Sequence, residues 1–213
     1  MNLDSHQIEQ LEKIYRLNLI NSITGIKPAN LIGTRSAANE DNLAIFSSLV
    51  HLGSNPAQLG FIVRPETDVP RNTFENIIET GFYTINHVSE SFIKKAHFTS
   101  AKLDKGISEF DVMNIGREFS NGFHAPFVKE SAVKIGMKYQ ESFSLRNGCT
   151  FVVGSVELII LPDEAINEYG QLDLTHYGCA GLSGLNTYYG FQKLASFPYV
   201  RVHEIPEFKE NKQ

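Results

Sequence analysis

Residues 29–34 (ANLIGT), 44–52 (AIFSSLVHL) and 59–64 (LGFIVR) are three short apolar runs separated by polar and proline-containing turns. Runs of this length between clusters of Asn, Asp, Ser and Pro are typical of β-strands. A fourth run, FYTINHV at 82–88, follows a segment at 73–80 whose apolar residues have helical spacing. The order strand, turn, strand, strand, helix, strand predicts a mainly β fold.

The helix predicted at 73–80 opens with residues that suit a helix start. Asn72 precedes it and Glu75 follows three residues later, which is the spacing of a capping box. The first N–H groups of a helix lack backbone partners and carry roughly half a positive charge. Because Arg64 and Arg71 lie close to this helix start along the chain, the segment predicts an anion site that suits a phosphate. An ordinary capped helix with two solvated arginines is the alternative.

Two adjacent hydroxyls, Ser47 and Ser48, lie within the apolar run at 44–52. A buried strand rarely carries hydroxyls without partners, because an unpaired buried polar group is costly. We therefore expect these two serines to contact a ligand. A local hydrogen bond to the backbone is the alternative.

The second half of the chain predicts a long hairpin. Apolar and polar residues alternate at 133–140, which indicates a half-buried strand. The dipeptide Asn147-Gly148 is a strong turn signal because both residues tolerate positive φ. The returning strand at 149–161 is apolar at odd and even positions alike, and this predicts burial on both of its faces.

Helices are also expected at 1–16 and 90–98, where apolar residues fall on one side. Between the helix predicted at 90–98 and the hairpin, residues 99–122 form a long stretch rich in Gly and polar residues. A loop of this length in a compact domain is usually functional or mobile. We interpret it as a candidate lid beside a binding pocket.

The 213 residues carry a net charge of −5, and 42% of them are hydrophobic. This length and composition suit one domain at 1–213 with a substantial core. Since no Lys/Arg cluster is present, nucleic acid is not an expected partner. Since no run approaches ~20 apolar residues, no membrane span is expected, and the expected location is the cytoplasm.

Cysteine and histidine spacing predicts no metal site. Cys149 and Cys179 do not form a Cys-x-x-Cys pair, and the histidines lack a His-x-x-x-His arrangement. We expect both cysteines to be reduced thiols. His87 follows the strand at 82–88 closely enough to lie near the pocket, in either a catalytic or a structural role.

Several short blocks follow one another in a characteristic order and spacing. They are NLAIFSS at 42–48, NPAQLGF at 55–61, RNTFENI at 71–77, GFYTIN at 81–86 and APFVKESA at 125–132. Together they resemble the flavin reductase-like proteins with the FMN-binding split β-barrel, including the flavoredoxin branch. The resemblance covers most of the chain and implies a mainly β, antiparallel split barrel with a few peripheral helices.

The resemblance also implies FMN as the cofactor, together with the residues that hold it. The residues expected at this site are Thr34, Arg35, Ser36, Asn42, Ser47, Ser48, Leu49, Arg64, Arg71, Asn72 and Thr73. The phosphate is expected near Arg64, Arg71 and the start of the helix at 72–73. Ser47 and Ser48 are expected to meet ribityl or phosphate oxygens. Residues 34–36 are expected to edge the isoalloxazine ring.

The implied activity is hydride transfer from NADH or NADPH to flavin, in a homodimer with the flavin near the subunit interface. No side chain is expected to act as a catalyst, because the cofactors carry the chemistry while the protein orients them and excludes water. One alternative is a flavoredoxin-like electron carrier without nicotinamide activity. The other is a non-catalytic barrel that serves as a binding module.

Overall fold

The computed structural model describes residues 1–65, 72–104 and 106–207. The strands within these residues are β1 (Lys27–Pro28), β2 (Asn30–Arg35), β3 (Asp41–Phe46), β4 (Val50–Ser54), β5 (Ala57–Val63), β6 (Phe82–His87), β7 (Arg117–Glu118), β8 (Phe127–Val128), β9 (Lys134–Ser144), β10 (Thr150–Ile160), β11 (Ala180–Ser183) and β12 (Thr187–Gly190). The α-helices are α1 (Ser5–Gln10), α2 (Lys13–Ser22), α3 (Asn72–Thr80), α4 (Ile93–Phe98) and α5 (Glu109–Val112).

Seven strands form one antiparallel sheet in the order β3-β2-β6-β9-β10-β5-β4. β3 and β4 lie at its opposite edges, yet only residues 47–49 separate them along the chain. Four residue steps reach at most about 14 Å, whereas six strand spacings would hold the edges of a flat sheet about 29 Å apart. The sheet therefore curls so that its two edges come close to each other at this point, and residues 47–49, here called the seam, connect them.

The central strands of this barrel are buried on both faces, as β2 shows. Every residue of β2 except the last is buried. Ile32 belongs to a cluster with Phe61 and Tyr83, to which β5, β6, β9 and β10 also contribute. Its neighbour Leu31 belongs to a second cluster with Phe110, formed against α4, α5 and the segments around them. A smaller sheet, β1-β11-β12, and the pair β7-β8 complete the β structure of the described residues.

The structure confirms the mainly β, antiparallel fold with few helices. It also confirms the helix at 90–98, as a 3-10 turn (Glu90–Phe92) followed by α4, and the hairpin turn, where Gly148 has a φ of 81°. The single helix predicted at 1–16 is wrong. α2 is a separate helix because the Glu12 carboxylate caps it, accepting the N–H groups of Ile14 and Tyr15 at 2.8 and 3.0 Å.

Two strand predictions are corrected. The run at 44–52 is not one strand, because β3 ends at Phe46 and β4 begins at Val50. The strand at 149–161 is buried on both faces only around residues 152–154, and Ile159 is exposed. The reason is that β10 pairs with β5 only as far as Ser155, so its second half pairs with β9 alone.

Candidate functional site

A cavity of about 760 Å³ opens beside the barrel seam. Its wall is formed by the seam, the last residues of β3 and β5, the start of α3, the segment after α4, part of α2 and the loop between β11 and β12. A volume of this size lies in the range of small-molecule sites. Of the residues predicted from the sequence, those that line it are Asn42, Ser47, Ser48, Arg64, Asn72 and Thr73.

The two serines of the seam differ in what their hydroxyls contact. Ser48 Oγ accepts the N–H of Ile62 at 2.9 Å and donates to the carbonyl of Ile62 at 3.2 Å. This hydroxyl occupies the place of the backbone partner that a paired strand would offer to Ile62, and it connects the seam to β5. The hydroxyl of Ser47 has no hydrogen-bond partner among the described residues, so it is free to meet a ligand.

A buried network of amides and hydroxyls holds the start of α3 against the barrel. Asn42 Nδ2 donates to Thr73 Oγ1 at 2.9 Å, and Asn76 Nδ2 donates to Thr34 Oγ1 at 3.1 Å. All four side chains are buried. The network fixes the first turn of α3 at the cavity, and Asn76, which the sequence reasoning missed, is part of it.

Three cations lie on the cavity wall. Arg64 and Lys102 are exposed, and Lys27 Nζ donates to the carbonyl of Asn21 at 2.7 Å and to Thr24 Oγ1 at 3.0 Å. With the N-terminal end of α3 at the same wall, these groups favour an anionic ligand.

Glu109 is the buried carboxylate of this wall. Its Oε2 accepts the N–H of Leu43 at 2.9 Å, which fastens α5 to β3. Burial raises the pKa of Glu109, opposed by its backbone hydrogen bonds. The segment predicted as a lid thus contains regular structure, and its first part, residues 99–103, lines the cavity.

The remaining predicted residues lie elsewhere. Thr34 is fully buried behind the network of Asn42 and Asn76, and Leu49 packs against the barrel core. Ser36 lines a second, smaller cavity. Arg71 lies outside the described residues, so its predicted role stays a prediction.

Arg35 forms an ion pair within the β2–β3 hairpin. Its Nε and Nη2 donate to the two carboxylate oxygens of Asp41 at 2.7 and 3.1 Å, and its guanidinium lies 4.1 Å from the centre of the Phe119 ring. Arg117 also donates to Asp41 at 2.7 Å and pairs with Asp111. These contacts tie the hairpin to the segment after α5 and direct Arg35 away from the large cavity.

The second cavity, of about 380 Å³, shares Asn42 and Asn72 with the large one. Its wall carries four acidic side chains: Glu40, Asp41, Glu75 and Glu79. This charge disfavours a phosphate. An anionic group is therefore better placed in the large cavity.

His87 does not line either of these cavities. Burial lowers its pKa to about 4, so the imidazole stays neutral, and its Nδ1 lies 3.7 Å from Cys179 Sγ. Burial also raises the pKa of the Cys179 thiol. The pair is a packed contact outside both of these cavities.

Within residues 1–65, 72–104 and 106–207, no helix is long and apolar enough to cross a membrane. In the same ranges, no group of three or more His, Cys, Asp or Glu side chains could hold a metal ion.

Comparison with known families supplies the identity of the barrel. The profile of the flavin reductase like domain matches residues 26–178. The chain belongs to the flavin reductase-like family. The matched range holds the seam, α3 and most of the cavity wall, while α2 and the β11–β12 loop lie outside it.

Three solved structures that superpose on this chain have the following similarity to it. A split barrel protein from Shewanella frigidimarina NCIMB 400, provisionally named a flavin reductase, has a TM-score of 0.90 and 44% identity, over 94% of this chain and 100% of that chain. Nitrilotriacetate monooxygenase component B from Bacillus cereus has a TM-score of 0.81 and 17% identity, over 92% and 98%. The flavoredoxin of Desulfovibrio vulgaris (Miyazaki F) has a TM-score of 0.70 and 17% identity, over 82% and 91%. The last two show a shared fold.

Folding also brings to the cavity residues that no sequence signal marked. They are Ile20, Asn21, Thr24, Lys27, His97, Glu109, Cys149, Leu185 and Asn186. They come from five separate parts of the chain, and only folding brings them together. His97 is held there by Tyr188, whose hydroxyl lies 3.1 Å from its Nδ1.

Proposed function

We propose that this protein binds FMN in the large cavity and transfers hydride from NADH or NADPH to the flavin. The observation that carries the proposal is the meeting of the seam, Arg64 and the start of α3 around one cavity of a flavin reductase-like domain. Each of these three elements supplies a different part of what FMN requires.

The phosphate end of the cavity is the start of α3. Arg64, Asn72 and Thr73 lie on the wall there, and the first N–H groups of a helix have no partner within the helix. Asn72 Oδ1 is buried and has no hydrogen-bond partner among the described residues. A buried amide oxygen without a partner is costly, so a donor supplied by a ligand would be favourable at this point. The ribityl hydroxyl groups of FMN are such donors, whereas its phosphate is an acceptor and is proposed to meet Arg64 and, as an additional ligand, Arg71. The residues present thus fit FMN.

The seam is proposed to hold the ribityl chain. Ser47 offers a hydroxyl without a described partner, and Ser48 keeps the seam in register with β5. Asn42 and Thr73 are already hydrogen-bonded to each other, which positions the wall rather than leaving both groups free. When bound, FMN supplies the ring system that accepts the hydride, and the chain orients it and excludes water.

The nicotinamide is proposed to enter beside Lys27 and Lys102, which also line the cavity. These side chains favour the negatively charged phosphates of NADH or NADPH. The site is further proposed to belong to a homodimer of one domain per chain that works in the cytoplasm. Two free cysteines, Cys149 and Cys179, suit such a reducing compartment.

The test is an absorption spectrum of the purified protein followed by steady oxidation of NADH and of NADPH with FMN present. Flavin bands, or their appearance after incubation with FMN, together with nicotinamide oxidation would support the proposal. Flavin binding without nicotinamide oxidation would favour an electron carrier, the alternative suggested by the shared fold with the flavoredoxin. A protein that stays colourless with FMN would favour a non-catalytic binding module.

A further inference from the structure

Residues 192–207, here called the arm, leave the barrel after β12 without forming a strand or an α-helix. Four of their apolar side chains are almost fully exposed: Leu194 by 88%, Phe197 by 82%, Tyr199 by 90% and Val202 by 88%. The hydrogen bonds found for the arm among the described residues are local, between Arg201 and Glu204. The fold of one chain leaves this surface uncovered.

The exposed apolar surface of the arm is large enough for a protein interface. Two aromatic side chains present about 150–250 Å² each, and Leu194, Val200, Val202 and Ile205 add to this area. Each partner in a standard interface contributes about 800 Å². Two arms related by symmetry therefore approach the area of a stable dimer, whereas scattered single exposed residues would not.

The arm begins beside the second exposed apolar element, helix α2. Phe191 packs over Gly181, where an added Cβ would lie 2.7 Å from the Phe191 ring and 2.2 Å from Ile26 Cγ2. Ile26 connects α2 to β1. α2 has no buried residue, and Ile14, Tyr15 and Ile23 on or next to it are exposed.

Helix α2 also forms the outer wall of the large cavity. Ile20, Asn21 and Thr24 line the cavity from this helix and the turn after it. Both α2 and the arm lie outside the range of the flavin reductase-like profile, so the shared barrel does not supply a cover for either. A layer packed across α2 would close the cavity on this side.

The chemistry of the arm favours a second copy of this chain as its partner. Its charges balance, since Lys193 and Arg201 are matched in number by Glu204 and Glu207, and this gives no attraction to nucleic acid or an anionic membrane. Every copy carries α2 and the start of the arm at the same edge of the molecule, so one two-fold axis can pair each arm with the α2 of the other copy. Sixteen extended residues reach on the order of 50 Å, which is sufficient to cross to a neighbour.

We propose that, in a homodimer, the arm of each subunit packs across α2 of the other and completes the outer wall of its flavin cavity. The proposal rests on the FMN site and the homodimer proposed above and adds which segment of the partner closes the site. The apolar arm residues are its anchors, because large aromatic side chains dominate protein interfaces.

The test is a full-length double variant, Phe197→Ser with Tyr199→Ser, compared with Ser196→Asp. The control adds a charge to the same exposed arm but keeps its apolar anchors. Sedimentation over a concentration series is expected to show a ~100-fold weaker dimer for the double variant and little change for the control. FMN affinity, followed by flavin fluorescence, is expected to fall by roughly tenfold only in the double variant. At a protein concentration where the double variant and the control are both monomers, their barrels are expected to unfold at the same temperature.

Cross-linking locates the contact. Copies carrying Tyr199→Cys are mixed with copies carrying Ile23→Cys, so only a contact between copies can join the two new thiols through a short bismaleimide. A covalent heterodimer, absent when Glu141→Cys replaces Ile23→Cys, supports the arm on α2. A dimer that is unchanged in the double variant, a wild-type monomer at all concentrations, or no specific cross-link would overturn the proposal. Sedimentation needs no flavin, so a wild-type dimer that fails to bind FMN would instead refute the proposed function.

Discussion

Replacing Ser48 with Ala is expected to destabilise the protein without FMN, while Ser47→Ala is expected to leave that stability nearly unchanged. Ser48 Oγ makes two hydrogen bonds to the backbone of Ile62, at 2.9 and 3.2 Å. Each net contribution is about 0.5–1.5 kcal/mol, so Ser48→Ala should cost about 2 kcal/mol. For a chain of this size, such a loss lowers the unfolding temperature by roughly 4–8 °C. Ser47 has no such partner among the described residues.

The assay is thermal unfolding of flavin-free protein by circular dichroism, with FMN affinity measured in parallel by flavin fluorescence. Ser47→Ala should weaken FMN binding by about 1 kcal/mol, or roughly fivefold, if its hydroxyl contacts the ribityl chain. Both variants lose the same hydroxyl group, at neighbouring positions, so each is the control for the other. Equal unfolding temperatures for both variants would refute the assignment of Ser48 to the barrel seam.

Three further predictions follow from the charges and the buried network. Arg64→Ala and Arg71→Ala should each weaken FMN by on the order of tenfold and riboflavin hardly at all, and equal effects on the two ligands in titration would place the phosphate elsewhere. Thr73→Val removes the acceptor of buried Asn42 and should cost about 1–3 kcal/mol in urea unfolding, whereas Thr73→Ser should keep most of the stability. Burial lowers the pKa of His87 to about 4 from 6.5, so between these pH values the unfolded chain binds a proton that the folded chain does not. The free energy of unfolding should therefore fall by about 3 kcal/mol as the pH is lowered from 6.5 to 4. A His87→Gln variant with the same pH profile would contradict this.

Local sequence signals predicted most of the regular structure because they report on local physics. The apolar runs became β2, β5 and β6, the Asn-Gly turn joined β9 to β10, and α3 began at Asn72, one residue before the predicted start. Several residues of the cavity wall followed from the same stretch, since Asn42, Arg64 and Thr73 lie at strand ends or a helix start. These features depend on neighbours within a few positions, so one sequence contains them.

Long-range pairing decided the rest. Nothing in the run at 44–52 shows that β3 and β4 stand at opposite edges of one sheet, because that follows from which strands pair across the whole chain. The seam that results places Ser47 at the cavity and turns Ser48 toward β5, a difference between adjacent serines that sequence reasoning did not make. Arg35 likewise pairs with Asp41 rather than facing the cavity. Local periodicity thus determined the kind of elements, and the order of short motifs carried the family resemblance. Burial, hydrogen-bond partners and the cavity itself required the curled sheet, because contacts between distant segments exist only after the sheet has curled.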